Sequence, residues 1–150
     1  MDEQTIKHLE LIQAVIARLA HNSFALKGWA VTLTVATFAL FAKGTNPLYL
    51  LVALVPSLAF WGLDGYYVRQ ENLFCKLYDV VRTTPPSEVK YNPFSMDTLP
   101  YSIDTSRFEV PHSERVGTWL RTCSSKTIAW LYGPMVFVIV LVTVVAYLRN

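Results

Sequence analysis

The sequence predicts an all-α membrane protein, with three transmembrane helices, an N-terminal amphipathic helix and a small cytoplasmic module of helical and irregular structure. Two observations predict this class. The 150 residues are 53% hydrophobic and only 16% charged, whereas a typical soluble domain is about 25% charged. The apolar residues are also concentrated in three segments that are almost free of charge. Clustered apolar residues in a weakly charged chain indicate an integral membrane protein.

Two of the apolar segments form a predicted transmembrane hairpin at residues 24–63. Residues 28–42 and 47–63 carry no charge, and the short KGTN turn between them permits only antiparallel neighbours. Pro56 lies inside the second helix and is expected to distort it. The third segment, residues 127–148, makes a helix about 33 Å long at 1.5 Å per residue, which matches the hydrocarbon core of a bilayer.

The three predicted helices differ in their polar content. The third is rich in valine and is expected to face lipid or to pack on its neighbours. The first carries Thr32, Thr34 and Thr37 and is the better candidate to line a polar path. Threonine hydroxyls also bond back to carbonyls of their own helix, which is the alternative interpretation.

Residues 1–23 are predicted to form an N-terminal amphipathic cytoplasmic helix. Its apolar side chains recur at helical spacing, at Ile6, Leu9, Ile12, Ile16 and Leu19. Such a stripe either lies in the membrane interface or packs on another helix. The polar face is not rich in lysine, which favours packing.

Residues 64–126 are predicted to form the cytoplasmic module. The second membrane helix is expected to continue into it, because no proline interrupts residues 60–82. Apolar residues there recur with a heptad spacing, and four of them are predicted to couple copies of the chain in a homo-oligomer: Tyr66, Leu73, Leu77 and Val80. The same helix can instead be held by the N-terminal helix. The proline-rich remainder is expected to be irregular, with short strands at residues 87–91 and 107–110.

The distribution of basic residues predicts the orientation. Lysine and arginine are frequent in the N-terminal segment and in residues 64–126, but rare in the first turn and in the C-terminal tail. The positive-inside rule therefore predicts a cytoplasmic N-terminus and a periplasmic C-terminus in a bacterial inner membrane. Asp64 and Lys126 are predicted to be charges at the membrane boundary. Asp64 is expected to pair with Lys126 or Lys27, or to stand at the mouth of a pathway.

The chain carries no recognisable catalytic or cofactor motif. The GxSxG, GxxxxGK[ST], GxGxxG and HExxH patterns are absent, and the three histidines share no spacing. Cys75 and Cys123 form no CxxC motif and are predicted to be free thiols. We therefore expect no enzymatic activity, no cofactor and no metal. The net charge of +2 is too small for a protein that coats nucleic acid.

Five arginines of the predicted module are candidate contacts for a ligand or partner: Arg69, Arg82, Arg107, Arg115 and Arg121. If they converge, they can bind an anionic small-molecule signal, since guanidinium groups pair well with phosphate. Acidic residues are interleaved with them, so salt bridging is the alternative.

Two runs of the sequence, NSFALKGWAVTL (22–33) and FWGLDGYYVRQENLFCKLYD (60–79), resemble small uncharacterised bacterial inner-membrane proteins. Those proteins have an N-terminal helix, a membrane hairpin and a cytoplasmic extension. The layout is also similar to that of membrane effectors in anti-phage defence systems. The resemblance implies an inner-membrane location and a defence context, and it assigns no functional residue.

Two functions are compatible with these features. The first is a homo-oligomeric, signal-gated membrane effector or channel, which disrupts membrane integrity or potential in response to a cytoplasmic ligand or partner. The second is a membrane anchor or scaffold that recruits a soluble partner protein. The expected partners are membrane lipid, further copies of the chain, and a soluble protein or anionic signal.

Overall fold

The computed structural model describes residues 3–41, 46–83, 94–98 and 117–149. Over these ranges the chain is helical, and they contain no strand. The strands predicted at residues 87–91 and 107–110 lie outside the described residues. The helices, in chain order, are α1 (Glu3–Phe41), a 3₁₀ segment (Pro47–Ala53), α2 (Leu54–Thr83), α3 (Trp119–Cys123) and α4 (Lys126–Leu148).

Three of the described helices are long and apolar enough to cross a membrane. They cover Glu3–Phe41, Leu48–Thr83 and Lys126–Leu148, with 39, 36 and 23 residues. The prediction of three such helices is confirmed. The first is longer than expected, because the predicted boundary between residues 23 and 24 falls inside α1. The composition changes at that point, but no proline is present to end the helix.

The second apolar segment begins as a 3₁₀ helix and becomes α-helical at Leu54. Asn46 caps the segment, since its side chain accepts a hydrogen bond from the Leu48 backbone N–H at 3.0 Å. Pro56 therefore lies in the first turn of α2, where backbone N–H groups have no partner within the helix. A missing N–H costs little at this position, and α2 then continues without interruption to Thr83.

The chain divides into two compact units. We call residues 1–22 and 67–119 the amphipathic unit, and residues 23–66 and 120–150 the bundle. Both α1 and α2 contribute residues to each unit. The sequence places the corresponding limits of the membrane part at 24–63 and 127–148.

The amphipathic unit has a core between α1 and α2. Leu9 and Ile12 of α1 are buried with Leu77 and Val81 of α2. Partly buried side chains pack around these four, namely Ile16, Phe74, Tyr78 and Met96. The apolar stripe of the N-terminal segment is therefore packed on protein, which is the alternative that its weakly basic polar face favours.

The short segment 94–98 is attached to α1 through His8. The Nε2 nitrogen of His8 lies 3.0 Å from the Ser95 carbonyl oxygen, to which it donates a hydrogen bond. The His8 ring also lies 5.7 Å from the Phe94 ring. Phe94 has a φ of 66°, a left-handed conformation that is uncommon outside glycine.

Two neighbouring residues of α1 provide a matched test of the amphipathic core. Ile12 is 0% exposed and Leu11 is 49% exposed. We expect Ile12→Ala to lower the free energy of unfolding by about 2–5 kcal/mol, because it leaves a cavity. Leu11→Ala should cost about 1 kcal/mol or less. Urea unfolding of the purified protein in detergent, followed by circular dichroism, measures both. Equal losses would show that α1 does not bury this face.

Candidate functional site: a buried ion pair in the bundle

The bundle contains a charged cluster in which the carboxylate is buried and the ammonium side chain is partly exposed. Asp64 of α2 is 0% exposed. Its Oδ1 oxygen accepts a hydrogen bond from the Lys27 ammonium at 2.8 Å and another from the Ser23 hydroxyl at 2.5 Å. The same ammonium donates to the Ser23 oxygen at 2.6 Å. Lys27, Ser23 and Asp64 therefore form a closed triangle of charge-assisted hydrogen bonds.

The helical geometry of α1 explains why Ser23 and Lys27 meet one carboxylate. The two residues are four apart, so their side chains lie on one face of the helix, one turn after the other. Asp64 approaches that face from α2. The Lys27 side chain is 25% exposed, because its long aliphatic stem reaches the cluster from the edge of the bundle. The longer side chain, Lys27, is thus partly exposed, and the shorter side chain, Asp64, is buried.

The other oxygen of the carboxylate is not used. Asp64 Oδ2 and the Tyr132 hydroxyl are both buried, and neither has a hydrogen-bond partner among the described residues. The carboxylate of Asp64 and the Tyr132 hydroxyl are close enough to interact electrostatically. Unpaired polar atoms in a protein interior are rare. The cluster therefore keeps hydrogen-bonding capacity that the described part of the chain does not fill.

Trp61 holds α3 and α4 next to this cluster. Its ring stacks on the Tyr132 ring, with 6.0 Å between centroids and 3° between planes. Its Nε1–H donates to the Cys123 carbonyl oxygen at 3.0 Å. Trp61 and Asp64 lie on the same helix, α2, so one helix positions both the Tyr132 ring and the carboxylate beside it.

A second polar layer joins three helices of the bundle. The hydroxyls of Thr34 and Ser57, both buried, lie 3.0 Å apart. Ser57 also donates to the Ala53 carbonyl oxygen at 2.8 Å, and Thr34 lies 3.7 Å from the sulfur of Met135. Small hydroxyl side chains of this kind associate helices where apolar packing gains little over lipid.

The three threonines of the first predicted membrane helix have different roles. Thr34 faces the interior, whereas Thr32 and Thr37 donate to carbonyl oxygens of their own helix, at 2.9 and 2.7 Å. Bonding to the helix's own carbonyl oxygens therefore accounts for Thr32 and Thr37, and a polar path lined by this helix stays a prediction.

The predicted boundary charges are separated by the structure. Asp64 pairs with Lys27, one of the two lysines considered as its partner, and Lys126 is exposed at the start of α4. Asp64 does not end a helix, because α2 continues for about five more turns to Thr83. Asp64 is thus an interior residue of a helix that is long enough to cross a membrane.

The predicted ligand-binding arginines each have a different environment. Arg69 Nε donates to the Gly117 carbonyl oxygen at 3.2 Å, and Arg82 lies 3.7 Å from Asp79 on its own helix. Arg121 is exposed on α3. Arg107 and Arg115 lie outside the described residues. Arg69 thus contacts the backbone, and Arg82 pairs with an acidic side chain. The anion contact of the five arginines stays a prediction.

The four residues predicted to couple copies of the chain also differ in burial. Leu73 and Leu77 are buried within their own chain, Val80 is partly buried and Tyr66 is exposed. Leu77 packs in the core with Leu9 and Ile12. The contact with the N-terminal helix, one of the two alternatives, accounts for Leu77 without a second copy.

Sequence reasoning missed Ser23 and Tyr132. Ser23 could have been found from the sequence, since it lies one helical turn before Lys27, a predicted partner of Asp64. Tyr132 had none, because its position depends on how α4 is rotated towards α2. No three His, Cys, Asp or Glu side chains within the described ranges lie together as a metal site.

The fold and the site define the class of the protein. It is an α-helical protein with three helices long and apolar enough to span a membrane and an ion pair buried among them. Comparisons with protein-family models, curated proteins and solved structures find no match to this chain.

A comparison of two lysines of α1 tests the buried ion pair. Lys7 lies 2.7 Å from Glu3 and Lys27 lies 2.8 Å from Asp64, but the first pair is 61% and 79% exposed. We expect Lys27→Met to lower the free energy of unfolding by about 3–5 kcal/mol, because it leaves a buried carboxylate unpaired. Lys7→Met should cost about 0.5 kcal/mol or less.

The control for that measurement is the double variant Lys27→Met with Asp64→Leu, which removes both charges. It should recover most of the loss in detergent unfolding experiments, since replacing a buried ion pair by apolar side chains is often neutral. If Lys27→Met and Lys7→Met have equal effects, the Asp64 carboxylate does not depend on Lys27.

Gly65 provides a second test, because α2 and α3 approach each other there. A Cβ atom on Gly65 would overlap the Cys123 sulfur, whereas one on Gly28 would meet nothing within 4 Å. We expect Gly28→Ala to stabilise its helix by about 0.5–1 kcal/mol. Gly65→Ala should instead destabilise the protein by about 1–3 kcal/mol through overpacking.

The clash at Gly65 should be relieved by Cys123→Ala. The Cys123 Cβ lies 3.5 Å from the added Cβ, which is an ordinary contact distance. Thermal unfolding of the single and double variants measures the effect. If Gly65→Ala is as stable as Gly28→Ala, the two helices are not in close contact.

Proposed function

We propose that the chain is a signal-gated membrane effector. In this proposal it assembles as a homo-oligomer in a bacterial inner membrane, with the amphipathic unit in the cytoplasm and the C-terminus in the periplasm. A soluble partner or an anionic small molecule contacts the amphipathic unit. The bundle then changes the ion permeability of the membrane, and the resemblance noted above suggests anti-phage defence as the context.

The buried Lys27–Asp64 pair is the observation that carries this proposal. Charges buried among apolar helices are costly, at several kcal/mol per ion before pairing offsets the loss of water. An anchor needs only apolar helices and gains nothing from such a pair. Ionisable groups on helices that can span a membrane are candidates for ion pathways or relays. The pair therefore favours an effector over a passive anchor.

The continuity of α1 and α2 supports coupling to a signal. Each helix carries one half of the amphipathic core, at Ile12 and Leu77, and one half of the ion pair, at Lys27 and Asp64. Neither helix is broken between these positions. A ligand that changes the packing of α1 on α2 in the amphipathic unit acts on the same helices that hold the charges.

The interior of one bundle supports self-association rather than a path through a single chain. Ile128, Tyr132 and Ile139 of α4 are fully buried inside it. The outward side chains of the same helix are apolar, with Trp130 and Phe137 largely exposed. A pathway in this proposal is therefore formed between copies.

A membrane anchor that recruits a soluble partner is the second candidate. The buried apolar interior of the single bundle is compatible with it, because an anchor needs no pathway between copies. The two candidates differ in assembly size and in permeability, and one experiment distinguishes them.

The experiment measures mass and ion release on the same preparation. We expect native mass spectrometry of the protein in nanodiscs to give one closed oligomer of about four or more copies. Lipid vesicles containing Lys27→Met should release trapped K⁺ about tenfold faster than vesicles containing the wild type, which corresponds to about 1.4 kcal/mol in the barrier. Lys7→Met, the exposed control, should match the wild type.

Variants are compared at equal reconstituted amounts and equal oligomer mass, so that misfolded protein does not mimic a closed state. A monomer or dimer, with the same K⁺ release from all three proteins, would overturn the effector. The anchor would then be the better function, and pull-down of its soluble partner would follow.

A further inference from the structure

We propose that Asp64, Ser23 and Tyr132 form a binding site for a monovalent cation, and that the Lys27 ammonium is a tethered cation occupying it. The inference deepens the proposed function and rests on it for the identity of the ion that crosses the membrane. Binding to the site is tested separately, by a measurement that does not involve permeation.

The ligands of the Lys27 ammonium are those of a free cation. Its contacts are oxygens at 2.6 and 2.8 Å, one hydroxyl and one carboxylate, supplied by two helices. Oxygen donors with one negative charge are the ligands that hard cations prefer. Ammonium is a compact point charge, so K⁺ or a small ammonium ion meets the same requirements.

The site has ligands that Lys27 does not use. Asp64 Oδ2 and the Tyr132 hydroxyl are buried, unpartnered and close enough to interact with each other. Asp64 and Tyr132 are both fully buried, so bulk water does not satisfy them. A cation centred between the two carboxylate oxygens would use acceptors that the ammonium on Oδ1 leaves idle.

Lys27 is the partner that can leave. Its side chain is flexible and 25% exposed, whereas the Asp64 side chain is short and 0% exposed. Lysine reaches a membrane interface by extending its stem, and its charge then returns to water. Because the cluster holds one negative charge, a free cation and the Lys27 ammonium compete for it.

The test is rescue of Lys27→Ala by free cations. In a buffer whose only cation is N-methylglucamine, which is too large for the site, we expect this variant to unfold at a lower temperature than the wild type. Replacing that cation by K⁺, Na⁺, ammonium or methylammonium at constant ionic strength should raise its unfolding temperature by about 3 °C or more. The rise should saturate with concentration, and the wild type should not respond.

Three further proteins make the result specific. Lys27→Ala with Asp64→Asn lacks the charged ligand and should show no rescue. Lys27→Ala with Tyr132→Phe lacks one oxygen and should need more cation for the same shift. Lys7→Ala, at the exposed pair, should behave as the wild type does in every salt.

Equal salt responses of Lys27→Ala and its Asp64→Asn double variant would overturn the proposal. If Lys27→Ala does not fold, Lys27→Gln is tested in the same salts, and failure of both to fold in any of the four cations also overturns it. Rescue without vesicle permeability would leave the site in place and remove the effector. Permeability without rescue would overturn the cation site and leave the effector in place.

Discussion

The carboxylate of Asp64 imposes the constraint on which the bundle depends. A charge at 0% exposure requires a compensating charge and hydrogen bonds. Lys27 and Ser23 supply both from one face of α1, which fixes the rotation of that helix towards α2. The exposed Lys7–Glu3 pair has almost the same length and fixes nothing, because water solvates both of its charges. Burial, and not distance, therefore separates the two ion pairs of α1 in their effect on the structure.

The remaining contacts of the bundle follow the same logic. Lipid is as apolar as leucine, so helices in a membrane gain little from apolar contact alone. The described bundle adds polar contacts and close approach to its buried apolar side chains: the Thr34–Ser57 pair, the Trp61 bond to the Cys123 carbonyl oxygen, and the approach of Gly65 to the Cys123 sulfur. The amphipathic unit differs, since its core is made by apolar side chains of α1 and α2. One pair of helices thus carries two kinds of packing.

Much of this architecture could be predicted from the sequence, because apolar segment length and helical periodicity are local properties. They give the three long apolar helices, the stripe containing Ile12, and the choice of Lys27 or Lys126 as the partner of Asp64. The length of α1 was not predicted, since composition changes near Ser23 without any residue that ends a helix. Tyr132 was not predicted either. Its neighbours come from α2, and only the rotation of α4 decides which of its side chains meet the carboxylate.

The energetics of the ion pair limit how a signal can act on it. Separating Lys27 from Asp64 with no replacement leaves a buried charge unpaired, at a cost of about 3–5 kcal/mol. Coupling energies between ligand sites are typically about 1–3 kcal/mol, so most ligands are too weak to drive that separation. If a free cation replaces the Lys27 ammonium, the cost is only the difference between the binding free energies of the two cations at the same oxygens. In the proposed effector, a gating step by exchange is therefore within reach of an ordinary ligand, whereas a step that simply breaks the pair is not.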